Sequence, residues 1–174
     1  TGGFLRIIDV SNILSPREVG YLALPGFGSP SLAEVEAIAV TSDHVYIAYM
    51  NQGLRIINVS DPTNPVEVGS LPSEEYTQGV STDGQYVYWL AGSSLRVLDV
   101  SDPSQPVQVG TCETQRWAEQ VEVVGSYAFV RDWSGLEVID VSVPTNPAAI
   151  AWHGITTNNT SGIAVEGNLA YVTS

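Results

Sequence analysis

Two kinds of side chain in this 174-residue sequence could do chemistry: carboxylates and aromatic rings. Glu74 and Glu75 are adjacent and Glu119 follows in a later segment. Two carboxylates across a cleft are the machinery of glycoside hydrolysis, so a glycan-active hydrolase or lyase is one reading. Adjacent residues of a strand point to opposite faces, so loops would have to bring these groups to a common mouth. The rest of the catalytic vocabulary is thin. His44 lies in a turn, "TSDH", where solvation is expected, and His153 follows Trp152 without an acidic or nucleophilic neighbour. There is no Gly-x-Ser-x-Gly elbow and no His-Glu-x-x-His pair. "STDGQ" (81–85) lacks the alternating oxygens of a calcium loop and reads as a hairpin turn. Cys112 is the single cysteine, which excludes an internal disulfide and a cysteine-based metal site and leaves it as a small apolar filler. The sequence assigns no catalytic residue, no metal and no cofactor.

The rings are more informative. Tyr49, Tyr76, Trp117 and Trp133, with Phe27, fall in or beside irregular segments that also hold Gln78, Arg116, Glu119, Arg131 and Asp132. Flat aromatic faces beside amides and carboxylates suit sugar rings or peptide side chains, so a glycan or protein ligand is the expectation. The competing structural reading has the rings capping gaps between packed units, with Arg116 and Arg131 pairing with Glu119 and Asp132.

Bulk composition narrows the partners. The formal charge is −13 with only six basic residues, all arginine. A phosphate backbone needs clustered cations, so nucleic acid is not an expected partner, and anionic membrane surfaces are disfavoured. No apolar run approaches the ~18 residues of a membrane span, so no membrane insertion is expected. Asn158-Asn159-Thr160 and Asn159-Thr160-Ser161 fit the glycosylation triplet.

What would position these groups is a repeat. "FLRIIDVSNILSP" (4–16), "GLRIINVSDPTNP" (53–65), "SLRVLDVSDPSQP" (94–106) and "GLEVIDVSVPTNP" (135–147) superpose, with Val10, Val59, Val100 and Val141 spaced by 49, 41 and 41 residues. The last three are each preceded by two short apolar runs, such as "GVST" (79–82) and "YVYWLA" (86–91), and all four are followed by another, such as "VEVGSL" (66–71). Runs of Val, Ile and aromatics bounded by Gly, Pro, Asp and Asn, without a helical period, are strands. Four strands in ~40–45 residues is the signature of a propeller blade. The near-continuously apolar third strand fits a sheet covered on both faces. Asp9, Asn58, Asp99 and Asp140, tempting as an acidic ring, are better read as acceptors for the turn that follows.

The "LRIIDVS-x-P-x-x-P" core with its preceding "YVY"-type strand resembles the LVIVD repeat of bacterial and archaeal surface and secreted proteins. The resemblance implies a β-propeller in an extracellular or cell-surface setting and brings no catalytic residues with it. Departures are Asn12–Ser15, which lacks the first proline, and the stretch 24–36. The expected fold is all-β: one domain over 1–174, a propeller of four blades of four antiparallel strands. The repeats span 37–71, 79–112 and 121–154, and the last blade joins 163–174 to 1–24. A segment of a longer propeller and half-blades pairing between subunits stay open as alternatives, and with them an oligomer or an assembly role. The loops joining one blade to the next and the second strand to the third share one face. The face is varied and aromatic; the opposite face holds monotonous proline turns. Varied loops on a rigid scaffold are where binding is expected.

Overall fold

The computed structural model describes residues 4–24, 35–155 and 160–173, and Phe27, Asn158 and Asn159 lie outside them. It is all-β apart from one 3-10 turn at Met50–Gln52. A first hairpin comprises β1 (Phe4–Asp9) and β2 (Arg17–Ala23). Three four-stranded antiparallel blades follow. The first is β3 (Val35–Val40), β4 (His44–Tyr49), β5 (Gly53–Asn58) and β6 (Val66–Leu71). The second is β7 (Thr77–Thr82), β8 (Tyr86–Ala91), β9 (Ser94–Asp99) and β10 (Val107–Glu113). The third is β11 (Ala118–Val124), β12 (Tyr127–Asp132), β13 (Gly135–Asp140) and β14 (Ala148–Gly154). A last hairpin, β15 (Gly162–Glu166) and β16 (Leu169–Thr173), ends the described chain.

Blades stack face to face because each middle strand is apolar on both sides. Val45, Ile47 and Tyr49 of β4 pack toward the first hairpin, against Leu5, Leu22 and Leu24. The alternate residues Tyr46 and Ala48 pack toward the second blade, with Leu54, Ile56, Val87 and Trp89. Tyr88, Leu90, Leu95 and Val97 repeat this toward Ala128, Val130 and Ile139 of the third blade, and half-buried Cys112 packs at the rim of that cluster. The period of two thus becomes a continuous hydrophobic run, as the third-strand sequences indicated.

The turns behave as read. The backbone N–H of Ser11, Ser60, Ser101 and Ser142 donates to Asp9, Asn58, Asp99 and Asp140 respectively, at 2.8–3.1 Å. These hydrogen bonds hold the Asp9, Asp99 and Asp140 carboxyls below the usual carboxylate range. His44 differs from the solvated residue expected: it is half-buried, with Nδ1 3.2 Å from Asp43 and Nε2 3.4 Å from the Asn58 amide.

Closure is where the structure departs from the sequence expectation. Blade architecture is as expected, but β1–β2 and β15–β16 are two separate two-stranded sheets rather than one four-stranded blade. Inner strands pack in the series β3, β7, β11, β15, and no comparable packing joins β15 back to β3. The described chain therefore holds three complete blades with a two-stranded hairpin at each end, and the two hairpins do not pair with one another.

One substitution in the repeat predicts a pH effect. Arg6, Arg55 and Arg96 occupy equivalent places and are matched by Glu18, Glu67 and Glu75. The third blade carries Glu137 there, 2% exposed. Its Oε2 accepts the Gln115 N–H at 3.1 Å, while Oε1 has no partner among the described residues. Burial pushes its carboxyl above the ordinary value, the Gln115 bond opposes this, and the Asp132 charge adds to it. A raised folded-state value means that ionisation opposes folding. Stability is then complete below the unfolded carboxylate value and falls as pH rises through the raised one. Glu137→Gln is expected to raise stability at pH 7 by on the order of 1 kcal/mol and to leave it unchanged at pH 4, measured by urea denaturation at both pH values.

Candidate functional site

Each complete blade starts its inner strand with the same irregularity. Pairing of β3 with β4 shifts between Val35 and Ala37, of β7 with β8 between Thr77 and Gly79, and of β11 with β12 between Ala118 and Gln120. The residues left over are Glu36, Gln78 and Glu119. A bulge adds one residue to a strand and re-aims its side chain, so the three blades present three polar groups at equivalent points. All three line one cavity of about 870 Å³ at the mouth of the central channel.

Aromatic rings wall that mouth. Tyr76 and Trp117 are equivalent residues, each two positions before a bulged residue, with ring centroids 6.1 Å apart. Trp133 lines the same cavity from the turn after β12. Trp117 and Trp133 are 46% and 63% exposed, so their faces are open to a ligand. The Tyr76 hydroxyl donates to Glu36 Oε1 at 3.1 Å, binding the second blade to the first.

Electrostatics at the far side depend on Arg131. It stands where the second blade has Leu90, and it is buried. Its Nη1 donates to Glu119 Oε2 at 2.6 Å and to the Thr160 carbonyl at 2.7 Å. Both expected arginines pair differently: Arg131 takes Glu119 instead of Asp132, and Arg116 lies over the Trp152 ring. Asp132, at the place of Ala91, is buried too and does not line the cavity. Its Oδ1 accepts the Ser134 N–H at 2.6 Å and its Oδ2 the Trp152 indole N–H at 3.3 Å. Asp132 fixes the turn that presents Trp133.

Six of the nine residues singled out in the sequence therefore meet at one mouth: Tyr76, Gln78, Trp117, Glu119, Arg131 and Trp133. Three do not. Tyr49 is fully buried, because its place at the end of β4 faces the first hairpin instead of the channel. Asp132 is structural. Arg116 lies over the Trp152 ring at 5.7 Å and borders a neighbouring cleft with Trp117, Trp133 and Ser134. Sequence reasoning missed Glu36, Glu122 and Ser161, which also line the cavity. The shared bulge, a feature of the strand pairing, is what sets Glu36 in register with Gln78 and Glu119.

Of the carboxylates singled out for glycoside hydrolysis, only Glu119 lines the cavity. Glu75 is engaged by Arg96 and lies outside the cavity, and Glu119 is held by Arg131. Among the described residues, no group of three or more His, Cys, Asp or Glu comes together to hold a metal. Among the described residues, no helix is long and apolar enough to cross a membrane. A second cavity of about 840 Å³ opens on the opposite face, between the turns holding Asp43 and Asp83. Those carboxylates are occupied by His44 and by the Tyr88 hydroxyl.

Comparison with known proteins agrees with this geometry. The structure resembles that of Saccharomyces cerevisiae Sqt1, a β-propeller-like WD-repeat protein, with a TM-score of 0.64 at 10% identity. The match covers 76% of this chain and 39% of that one, so the likeness is one of fold, and this chain spans well under half of its neighbour. No curated protein matches. The LVIVD repeat matches residues 2–23, 34–72, 75–114 and 115–151, which takes in the first two complete blades and the third up to the middle of β14. A repeat matched across most of the chain and folded into successive blades makes this chain a member of the LVIVD-repeat family.

Proposed function

We propose that the chain is a non-catalytic binding module working outside the cytoplasm, and that it holds a glycan or a protein segment in the aromatic mouth of its channel. One observation carries this reading. Three equivalent bulges deliver Glu36, Gln78 and Glu119 to one cavity, beside half-exposed Trp117 and Trp133. Rings supply flat apolar contact, and the polar ring supplies hydrogen bonds that fix orientation. The acidic surface adds a preference against anionic ligands.

Binding to glycan arrays and to a peptide panel tests this. Trp117→Ala and Trp133→Ala are each expected to weaken binding about tenfold, the effect of losing one aromatic contact of on the order of 1.4 kcal/mol. Both rings are substantially exposed, so thermal midpoints should stay close to that of the parent protein. A ligand bound equally well by the parent and by both variants removes this face from consideration.

A further inference from the structure

We infer, resting on the binding role proposed above, that the ligand of the mouth is cationic: a lysine or arginine side chain of a protein segment, seated between the rings and the carboxylates. Among the described residues lining the mouth, the carboxylates are Glu36, Glu119 and Glu122, and the one cation is Arg131. That guanidinium is bonded to Glu119 and to the Thr160 carbonyl, so it neutralises one carboxylate and leaves the mouth net negative. None of the lining carboxylates or rings belongs to the hairpin at either end of the chain.

Hydrogen-bonding capacity points the same way. The Tyr76 hydroxyl is spent on Glu36 at 3.1 Å and the Gln120 amide on the Ile163 carbonyl at 3.5 Å, as Arg131 is on its own partners. Gln78, which lines the cavity, keeps its Oε1 buried with no partner among the described residues. An acceptor left bare out of water costs free energy until a donor reaches it. Lysine and arginine side chains bring donors and no acceptor. A sugar hydroxyl brings an acceptor with every donor, and those acceptors would face carboxylate oxygens.

The rings complete the match. A cation over an aromatic face is attracted by the ring quadrupole, and the aliphatic stem behind it covers apolar surface. The fold already uses this contact at its other two tryptophans: Arg96 lies over Trp89 at 5.4 Å and Arg116 over Trp152 at 5.7 Å. Among the described residues, no arginine lies over Trp117 or Trp133. These are the two that line the mouth, with Tyr76 set against Trp117 at an interplanar angle of 45°. The open tryptophans are thus the ones without a cation of their own.

A side chain carried on a segment suits the space better than a bare ion. The mouth adjoins a cleft of about 560 Å³ that shares Trp117 and Trp133 with it, so a chain running from one to the other passes both rings. The formal charge of −13 draws a basic partner toward the surface before contact.

Titration with a Gly-Ser peptide carrying lysine and arginine, with its acetyl-lysine and citrulline counterpart, and with a neutral chitin oligosaccharide tests charge and place together. The basic peptide is expected to bind about tenfold more tightly than its neutral counterpart and to weaken as salt is raised. Glu36→Gln and Glu122→Gln should each weaken it about threefold, and Trp117→Ala about tenfold. Glu36 is exposed and a glutamine oxygen still accepts the Tyr76 hydroxyl, so the thermal midpoint of Glu36→Gln should match that of the parent. A neutral peptide or oligosaccharide bound as tightly as the basic peptide, and lost in Trp117→Ala, overturns the charge preference while the mouth keeps its binding role. Basic-peptide binding unchanged in all three variants places the contact elsewhere on the acidic surface and overturns the site. No binding of the basic peptide overturns the proposal outright.

Discussion

Gly69→Ala destabilises this protein by roughly 2–4 kcal/mol, far more than an added methyl group on a strand would otherwise cost. The backbone of Gly69 is ordinary; what it lacks is space. A Cβ there overlaps the carbonyl oxygen of Pro103 and crowds the Cα of Ser104, both in the turn of the next blade. Neither is the tip of a flexible side chain. The Asp102 carboxylate accepts both the Ser104 N–H, at 3.0 Å, and its hydroxyl, at 2.7 Å, so the turn that would have to retreat is braced. Relief would require separating two blades along their shared core, where Leu54, Ile56 and Trp89 are fully buried. Gly110→Ala should behave alike against Pro144. Ser70→Ala, on the exposed neighbour in the same strand, is the control and should lie within about 0.5 kcal/mol of the parent. Urea denaturation with an unchanged m-value measures all three. A Gly69→Ala cost no larger than that of Ser70→Ala would show that the blades yield at this contact, and the glycine–proline junction would lose its role.

Arg131→Met is the second large effect, with an expected cost of roughly 2–4 kcal/mol. Arg131 is 7% exposed and Glu119 24%, so the pair lies largely out of water. The arginine also donates to the Thr160 carbonyl, and the Thr160 hydroxyl donates to the Asp132 carbonyl. Removing the guanidinium strands the Glu119 carboxylate and frees residue 160 from the third blade at the edge of the mouth. Glu119→Gln should cost less, because a neutral amide oxygen still accepts from Arg131. A double-mutant cycle of the two is expected to give a coupling of about 1–3 kcal/mol. Additive effects would mean that Arg131 acts through packing alone. In the binding assay, Arg131→Met should weaken the ligand while Trp117 and Trp133 stay in place, since the polar side of the mouth would have lost its anchor.

Much of this was legible in the chain because blade structure is local. The "LRIID" pattern, its double-sided burial and the serine bonds that close its turns all lie within one repeat of ~40 residues. The aromatic mouth was legible in part for the same reason: Tyr76 and Trp117 sit at the same place in successive repeats. Tyr49 was misplaced because a ring at a strand end looks the same whether it turns to the channel or to the neighbouring blade. Asp132 was misplaced because a carboxylate bonding the N–H two residues on is a turn device, and sequence gives no sign of which carboxylates in a loop are so used. Glu36 escaped notice because it lies at the edge of an irregular stretch, and only the shared bulge reveals its equivalence to Gln78 and Glu119.

The sequence by itself determined the unit: four strands, their order, their turns, and the alternation that makes each sheet stick to the next. The tertiary structure alone decided how the units are arranged in space. Whether the first and last hairpins pair depends on how successive blades are set against one another, which packing on both faces decides at every junction. No single repeat encodes that arrangement, so much of the mouth was within reach of sequence reasoning, while closure and unpaired end hairpins stayed open alternatives until the sheet pairing was seen.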